Sequence, residues 1–481
     1  MKKELIRYEQ YINGEFRSGR GTFLADVLNP STGLPIGSLP HASEADIREA
    51  VDAAAQAFLS WKKVGVLERS NMLRTIASNI RARRPEISIA IASELGKPIV
   101  EARKEVEVAA EMFDWAAEEA RRAYGRIIPS RALGGFQYAQ VEPVGPVAAF
   151  AGWNAPAITP SRKISGALAA GCTIVIKPSE ETPGVALGIV RAAVEAGLPP
   201  GVLNIVFGDP AAIADQLLAA PEIRMVSFTG ATSIGKQIGE KAARSMKRAT
   251  LELGGHAPVI VCDDVDVAKV AKAAALTKFR NSGQVCTSPT RFYVQEGIYE
   301  SFLKTFSSVA AELRVGNSMD ESVQMGPVKN NRRREAVERL IDDAWSQGVA
   351  LVSGGTRPHA DGFFLAPTVL RDFHDGCLAA NEEPFGPLAM FRPFDSIDNA
   401  ISMANRLPFG LASYAFTRDV ARARALSDGI DSGVVCINEW QASLPETPFG
   451  GVKDSGLGSE GGIEGLREFQ RTKCVRGGTI F

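Results

Sequence analysis

From Ala45 to Glu119 the apolar residues recur at helical spacing, with charged clusters such as Arg81-Ala82-Arg83-Arg84 between them, which predicts several amphipathic helices. Past Val144 the pattern changes. Val144 to Ala151, Cys172 to Ile176, Val202 to Val206 and Met225 to Phe228 are short apolar runs that predict buried strands, and helical segments near Ser161 to Ala170, Pro183 to Ala196 and Ala211 to Ala219 alternate with them. Such alternation predicts a parallel, doubly wound sheet, which receives its ligands beyond the carboxyl ends of the strands. Asn154, Lys177, Gly208 and Gly230 each fall just after a predicted strand, so they are expected to line one crevice. A second alternating segment runs from about Val259 to about Phe449, and no linker rich in Pro, Ser or charge separates the two. The expectation is two α/β lobes packed tightly, with a cleft between them.

Composition narrows the classes of function. A chain of 481 residues, 45% of them hydrophobic, is too long for one ordinary core and predicts two or three domains. A formal net charge of −1 gives no steering field for nucleic acid or an anionic membrane, so the arginine cluster reads as a solvated helix face. The opening residues are broken by charge and lack an apolar segment, unlike a secretory signal, and no uncharged apolar run approaches the ~20 residues that span a bilayer. Six cysteines without a Cys-x-x-Cys pair argue for a reducing compartment and against structural zinc. The expectation is a cytoplasmic protein with no metal, whose partners are small molecules and copies of itself.

Two short stretches carry the chemistry. Glu252 lies in Leu251-Glu252-Leu253-Gly254-Gly255, where desolvation would raise a carboxylate's pKa toward working pH, as a general base requires. Cys286 lies in Gly283-Gln284-Val285-Cys286-Thr287, and a thiol of ordinary pKa ~8.5 needs a base, a cation or backbone amides to become a nucleophile. Taken singly, each has a plainer explanation: an inert buried cysteine, and a glutamate on the polar side of a strand. Gly230 to Gly235-Lys236 superficially matches a nucleoside-triphosphate loop, but Gln237 stands where Ser or Thr must hold magnesium, which excludes that reading. Glycines opening a helix still suit a pyrophosphate, because free N–H groups and the helix dipole attract anions.

Along nearly its whole length the chain resembles the aldehyde dehydrogenase superfamily. The resemblance rests on motifs in order: Tyr11-Ile12-Asn13-Gly14-Glu15-Phe16, Asn29-Pro30-Ser31-Thr32-Gly33, Gly152-Trp153-Asn154-Ala155-Pro156, Lys177-Pro178-Ser179-Glu180, and Phe228-Thr229-Gly230 through Gly235. The two stretches above follow, then Glu382-Glu383-Pro384-Phe385-Gly386-Pro387 and Pro448-Phe449-Gly450-Gly451-Val452-Lys453. The fold it implies is a Rossmann-like cofactor domain, residues 1–122 and 143–254, an α/β catalytic domain, residues 255–454, and a small β oligomerisation extension from residues 123–142 and 468–481. A homodimer or homotetramer would follow from that extension.

The resemblance also assigns roles. Cys286 would be the nucleophile, Glu252 the base that hydrolyses the thioester, Asn154 the oxyanion donor, and Lys163 a support behind it, although a lysine in a helix is as readily exposed. Trp153, Lys177, Ser179, Glu180, Gly208, Gly230, Ser233, Glu383 and Phe385 would hold the cofactor, with Glu180 repelling a 2′-phosphate so that NAD is favoured over NADP. Ala231 departs from the family, which commonly has a serine there that bonds the pyrophosphate; Thr232 or Ser233 would have to compensate. Outside this family a Glu-Glu-Pro turn would be an exposed loop. Arg162, Arg280 and Ser443 partly resemble the carboxylate clamp of succinate-semialdehyde dehydrogenases, which implies an ω-carboxylated aldehyde as substrate. An aromatic or aliphatic aldehyde is the alternative substrate. A thiol hydrolase without redox chemistry and a non-catalytic protein on the same scaffold are the alternatives of another class.

Overall fold

The computed structural model describes residues 5–131 and 133–478; the last three residues of the expected C-terminal oligomerisation segment fall outside the described residues. The first lobe is built on an eight-stranded sheet. From one edge to the other its strands are Gly456–Leu457, Arg248–Glu252, Met225–Thr229, Val147–Phe150, Ile174–Lys177, Leu203–Ile205, Gln10–Ile12 and Glu15–Arg17. The five strands from Arg248–Glu252 to Leu203–Ile205 run parallel. They are largely buried and apolar because helices cover both faces, as a parallel sheet demands. The helices Ile158–Ala170, Pro183–Glu195 and Pro210–Ala219 stand where the hydrophobic pattern places them.

Strand order fixes where a ligand can sit. After Val147–Phe150 the chain adds two strands on one side, then returns to add Met225–Thr229 and Arg248–Glu252 on the other. The order therefore reverses beside Val147–Phe150, and the crevice at such a switch point opens beyond the strands' carboxyl ends, at Asn154 and Gly230.

The N-terminal helices are Glu44–Trp61, Val66–Ala82, Arg84–Leu95 and Ile99–Ala120. Ser43 and Asp46 form a reciprocal capping box that starts the first of them. The arginine cluster is surface charge: Arg81 pairs with Glu107 and Asp114, and Arg83 with Glu86 and Glu195. Among the described residues no helix is long and apolar enough to cross a membrane.

The second lobe holds a seven-stranded sheet in the order Ala350–Ser353, Thr368–Arg371, Leu388–Phe394, Pro289–Gln295, Ala257–Val261, Ala412–Phe416 and Val434–Ile437, parallel except at its first strand. A third sheet joins Arg126–Ile127, Phe136–Pro143 and Gln470–Gly477 in antiparallel fashion. The lobes are laced together by residues 452–457. Val452–Lys453 pairs with Phe409–Gly410, while Gly456–Leu457 adds an edge strand to Arg248–Glu252. Ser455 accepts the Leu253 N–H at 3.0 Å and donates its hydroxyl to the Gly254 carbonyl at 2.7 Å, which pins the Gly-Gly turn.

Candidate active site

Glu252 ends a strand of the first sheet, and the Gly254-Gly255 turn that follows explains itself by what approaches it. A β-carbon at Gly254 would lie 2.6 Å from Glu383 Oε2 and 3.2 Å from Thr232 Oγ1; one at Gly255 would lie 2.9 Å from the Cys286 carbonyl oxygen. The two glycines thus let a carboxylate from the second lobe and the Cys286 loop reach the crevice. Glu383 also accepts the Gly255 N–H at 3.3 Å. The Glu-Glu-Pro turn is therefore not an open loop at Glu383, whose carboxyl burial raises to about 8.

Burial likewise raises Glu252 to about 7, with the charge of Glu460 adding to it. Its Oε1 is buried without a hydrogen-bond partner among the described residues. Glu252 and Cys286 face one another closely enough to perturb each other's titration. The Cys286 thiol is pushed well up, first by burial and then by the Glu252 charge. At rest the proton belongs on sulfur, and the nearest base is the carboxylate that faces it.

Asn154 sits on the loop beyond Val147–Phe150. Its carbonyl oxygen accepts from Asn281 Nδ2 at 3.0 Å and from Lys97 Nζ at 3.3 Å. Lys163, which could have been an exposed helix lysine, is instead fully buried: it pairs with Glu460 and donates to Ser227 Oγ at 2.9 Å. Burial would raise the Glu460 carboxyl, but the charges of Lys163 and Arg162 outweigh it and hold Glu460 below its ordinary value. Glu460 is a residue that reading the sequence missed. Its one local mark is a glycine-rich setting, Gly458-Ser459-Glu460-Gly461-Gly462, akin to that of Glu252.

The cofactor candidates gather along the crevice. Trp153 and Phe385 meet edge to face, ring centroids 5.4 Å apart, so the two lobes share one aromatic wall. Lys177 pairs with Glu180, and Ser179 Oγ accepts the Glu181 N–H at 3.2 Å. Gly208 lies beside Ala42 and Ile213. The helix Thr232–Arg244 begins after Gly230 and Ala231 with no side chain capping its first N–H groups, and Thr229 Oγ1 is buried there without a partner. Ser233, in its first turn, is exposed. An uncapped helix start, a close-approach glycine and an orphaned hydroxyl fit a dinucleotide diphosphate.

The substrate candidates divide. The Arg162 side chain is only 9% exposed, and it lies over the Phe449 ring. Its Nη2 donates to Ser443 Oγ at 2.6 Å, its Nη1 stands 3.8 Å from Glu460, and its Nε is buried without a partner. Its charge reaches both Glu252 and Cys286. Arg280 differs in setting: its side chain is exposed, and its charge acts on Glu101 and Tyr414. Ser288, two residues past the cysteine, accepts from the fully buried Lys278 at 3.0 Å. His256, next to the Gly-Gly pair, is held between Thr290 and the Ala379 carbonyl.

Comparison with known proteins settles what this assembly belongs to, because the profile of the aldehyde dehydrogenase family matches residues 16–475. The chain belongs to the aldehyde dehydrogenase family. It is 44% identical over 467 residues to 4-(hydroxymethyl)benzenesulfonate dehydrogenase TsaD1 of Comamonas testosteroni, covering 97% of each chain. It is 38% identical over 471 residues to the succinate-semialdehyde dehydrogenase [NADP(+)] GabD of Escherichia coli, covering 98% of each. The crystal structure of betaine aldehyde dehydrogenase from Staphylococcus aureus in complex with NAD+ superposes with a TM-score of 0.95 at 31% identity, covering 98% of this chain and 95% of that one. This aldehyde dehydrogenase therefore has the family's α/β fold, and its relatives use NAD(P).

Proposed function

We propose that this aldehyde dehydrogenase oxidises an aldehyde bearing an anion at its far end, represented by succinate semialdehyde, to the carboxylic acid, with NAD preferred over NADP. The single observation that carries the substrate class is Arg162, a nearly buried guanidinium bonded to Ser443, with an unsatisfied Nε, whose charge reaches the nucleophile and the base. A planar guanidinium in so dry a setting recognises a carboxylate or sulfonate by charge-assisted hydrogen bonds. Its cost of burial is met only in part by Glu460 at 3.8 Å, which leaves charge for a substrate anion.

In the proposed chemistry Glu252 takes the proton of Cys286, and the sulfur attacks the aldehyde carbon to give a thiohemiacetal. The Asn154 side-chain amide and the Cys286 backbone N–H hold the oxyanion. NAD(P), when bound, supplies the hydride acceptor. Loss of hydride leaves a thioester on Cys286; Glu252 releases to solvent the proton it took from the thiol, then removes a proton from water, which attacks the acyl carbon, and as the acid departs the sulfur takes that second proton to regenerate the thiol. Lys163, through Glu460, sets the field around Glu252. Lys177, Ser179 and Glu180 would hold the adenosine ribose, Gly208 would border that end, Gly230 and Ser233 would hold the diphosphate, and Glu383 the nicotinamide ribose, with Trp153 and Phe385 beside it. Glu180 disfavours a 2′-phosphate, against which the Lys177 pairing works only in part.

A second reading, an aromatic aldehyde, is favoured by the 44% relative named for a benzenesulfonate. Both readings share the distal anion. The test is kcat/KM for succinate semialdehyde, 4-carboxybenzaldehyde, benzaldehyde and hexanal with NAD and with NADP, in wild type and Arg162→Ala. The expected result is a selective loss for the two anionic substrates of about 10²-fold, the worth of a buried charge-assisted bond. Equal loss on all four substrates would remove the clamp. We also propose that the third sheet, with Tyr124, Ile127 and Phe136 exposed near its strands, is a self-association surface.

A further inference from the structure

Between the helix Val267–Phe279 and Cys286 the backbone takes three consecutive left-handed residues: Asn281 at φ 48°, Ser282 at 55° and Gly283 at 72°. Only the third is a glycine, so the other two hold that shape because their surroundings impose it. The surroundings are explicit. Asn281 is buried, its N–H donates to Glu101 Oε2 at 3.0 Å, and its carbonyl accepts Gln284 Nε2 at 3.0 Å. Ser282 Oγ donates to the Gly326 carbonyl at 2.8 Å. The Asn281 amide, in turn, gives one N–H to the Gln284 carbonyl at 3.1 Å and the other across the cleft to the Asn154 carbonyl at 3.0 Å.

We propose that Asn281 is a positioning residue that holds the Asn154 loop of the first lobe in register with the Cys286 loop of the second, by the bond from its Nδ2 to the Asn154 carbonyl. The inference rests on the reading of Asn154 as the oxyanion donor. That donor and the nucleophile belong to different lobes, so their separation is no stronger than the contacts that cross between them. Lys97 reinforces the same carbonyl at 3.3 Å, and its partner Glu105 accepts the Ala157 N–H at 2.9 Å, so the loop is tethered on the first-lobe side as well. Asn281 is the tether that comes from the nucleophile's own loop. An oxyanion donor works only when it already stands where charge develops, and displacement by about 1 Å costs on the order of 10²-fold in rate.

The test is a double-mutant cycle on the full-length enzyme with saturating NAD, read with both succinate semialdehyde and benzaldehyde. Asn281→Ala is expected to lower kcat by about 10- to 100-fold, while KM for NAD stays within about twofold of wild type. In an Asn154→Ala background the same substitution is expected to change kcat by less than about twofold, because nothing remains for it to position. Asn281→Asp keeps the volume but turns the donor toward Asn154 into an acceptor, and is expected to lose as much as the alanine variant if that one does not fold. Losses that multiply across the cycle, or a KM for NAD that rises in step with the fall in kcat, would overturn the proposal in favour of a general structural role. An Asn154→Ala enzyme with wild-type kcat would instead remove the oxyanion reading itself, and this inference with it.

Discussion

Each active-site residue is shaped by what the fold withholds from it. Glu252 is denied water, so its carboxyl rises to about 7, and a base of that strength accepts a proton near neutrality yet still releases it. As the proposed base, Glu252 works only when deprotonated, so hydrolysis of the acyl group is expected to fall about tenfold per pH unit below ~7. Stopped-flow measurement of the post-burst rate between pH 5.5 and 8.5 checks this. The Glu252→Gln enzyme, without the titrating group, is expected to show a flat and slow profile over the same range.

At the scale of elements, strands and helices were legible because the parallel sheet writes itself as continuous apolar runs, and the helices between them as 3.6-residue periodicity. The runs ending at Ala151, Ile176, Val206 and Phe228 place the crevice correctly because a strand's end is a local property of the chain. Glu460 was not legible, since it meets Lys163 across 297 residues, and neither was Asn281, whose role depends on a carbonyl 127 residues away. The resemblance to succinate-semialdehyde dehydrogenases implied a clamp of Arg162 and Arg280, but that one guanidinium is nearly buried and the other exposed is set by packing that sequence does not display.

Buried cations show how elements are joined without acid partners. Arg291, 1% exposed, donates to the carbonyls of Met403 and Ala404 at the end of the helix Ile397–Asn405 and to the carbonyl of His256 next to the Gly-Gly turn. It caps a helix terminus and favours the helix dipole at once. Arg291→Met would leave those carbonyls buried and unpaired, an expected cost of about 3 kcal/mol. Differential scanning fluorimetry should show a fall in Tm of several degrees, with KM for the aldehyde unchanged at 25 °C.

For the whole molecule, two sheets meet at a seam, and the groups proposed for catalysis and cofactor binding come from both sides of it: Glu252 and Asn154 from one lobe, Cys286 and Glu383 from the other. Residues 452–457 pair with Phe409–Gly410 of the second lobe and with Arg248–Glu252 of the first sheet, and close the seam. The three-stranded sheet stands apart from this machinery. Its Ile127 is 91% exposed and its Phe136 55%, values that burial against another copy would explain. Multi-angle light scattering is expected to find a dimer or tetramer in wild type and a smaller species in the double variant Ile127→Glu, Phe136→Glu; an unchanged mass would remove this sheet from the interface.

The account turns on a covalent acyl group carried by Cys286. Acid-quenching the Glu252→Gln enzyme during turnover with NAD and succinate semialdehyde, followed by peptide mass spectrometry, tests it most directly. The account predicts no more than one NADH per active site, formed slowly because the same substitution removes the base that activates the thiol, and a succinyl adduct on the peptide containing Cys286. Steady NADH formation without an adduct, or full oxidation by a Cys286→Ala enzyme, would contradict it.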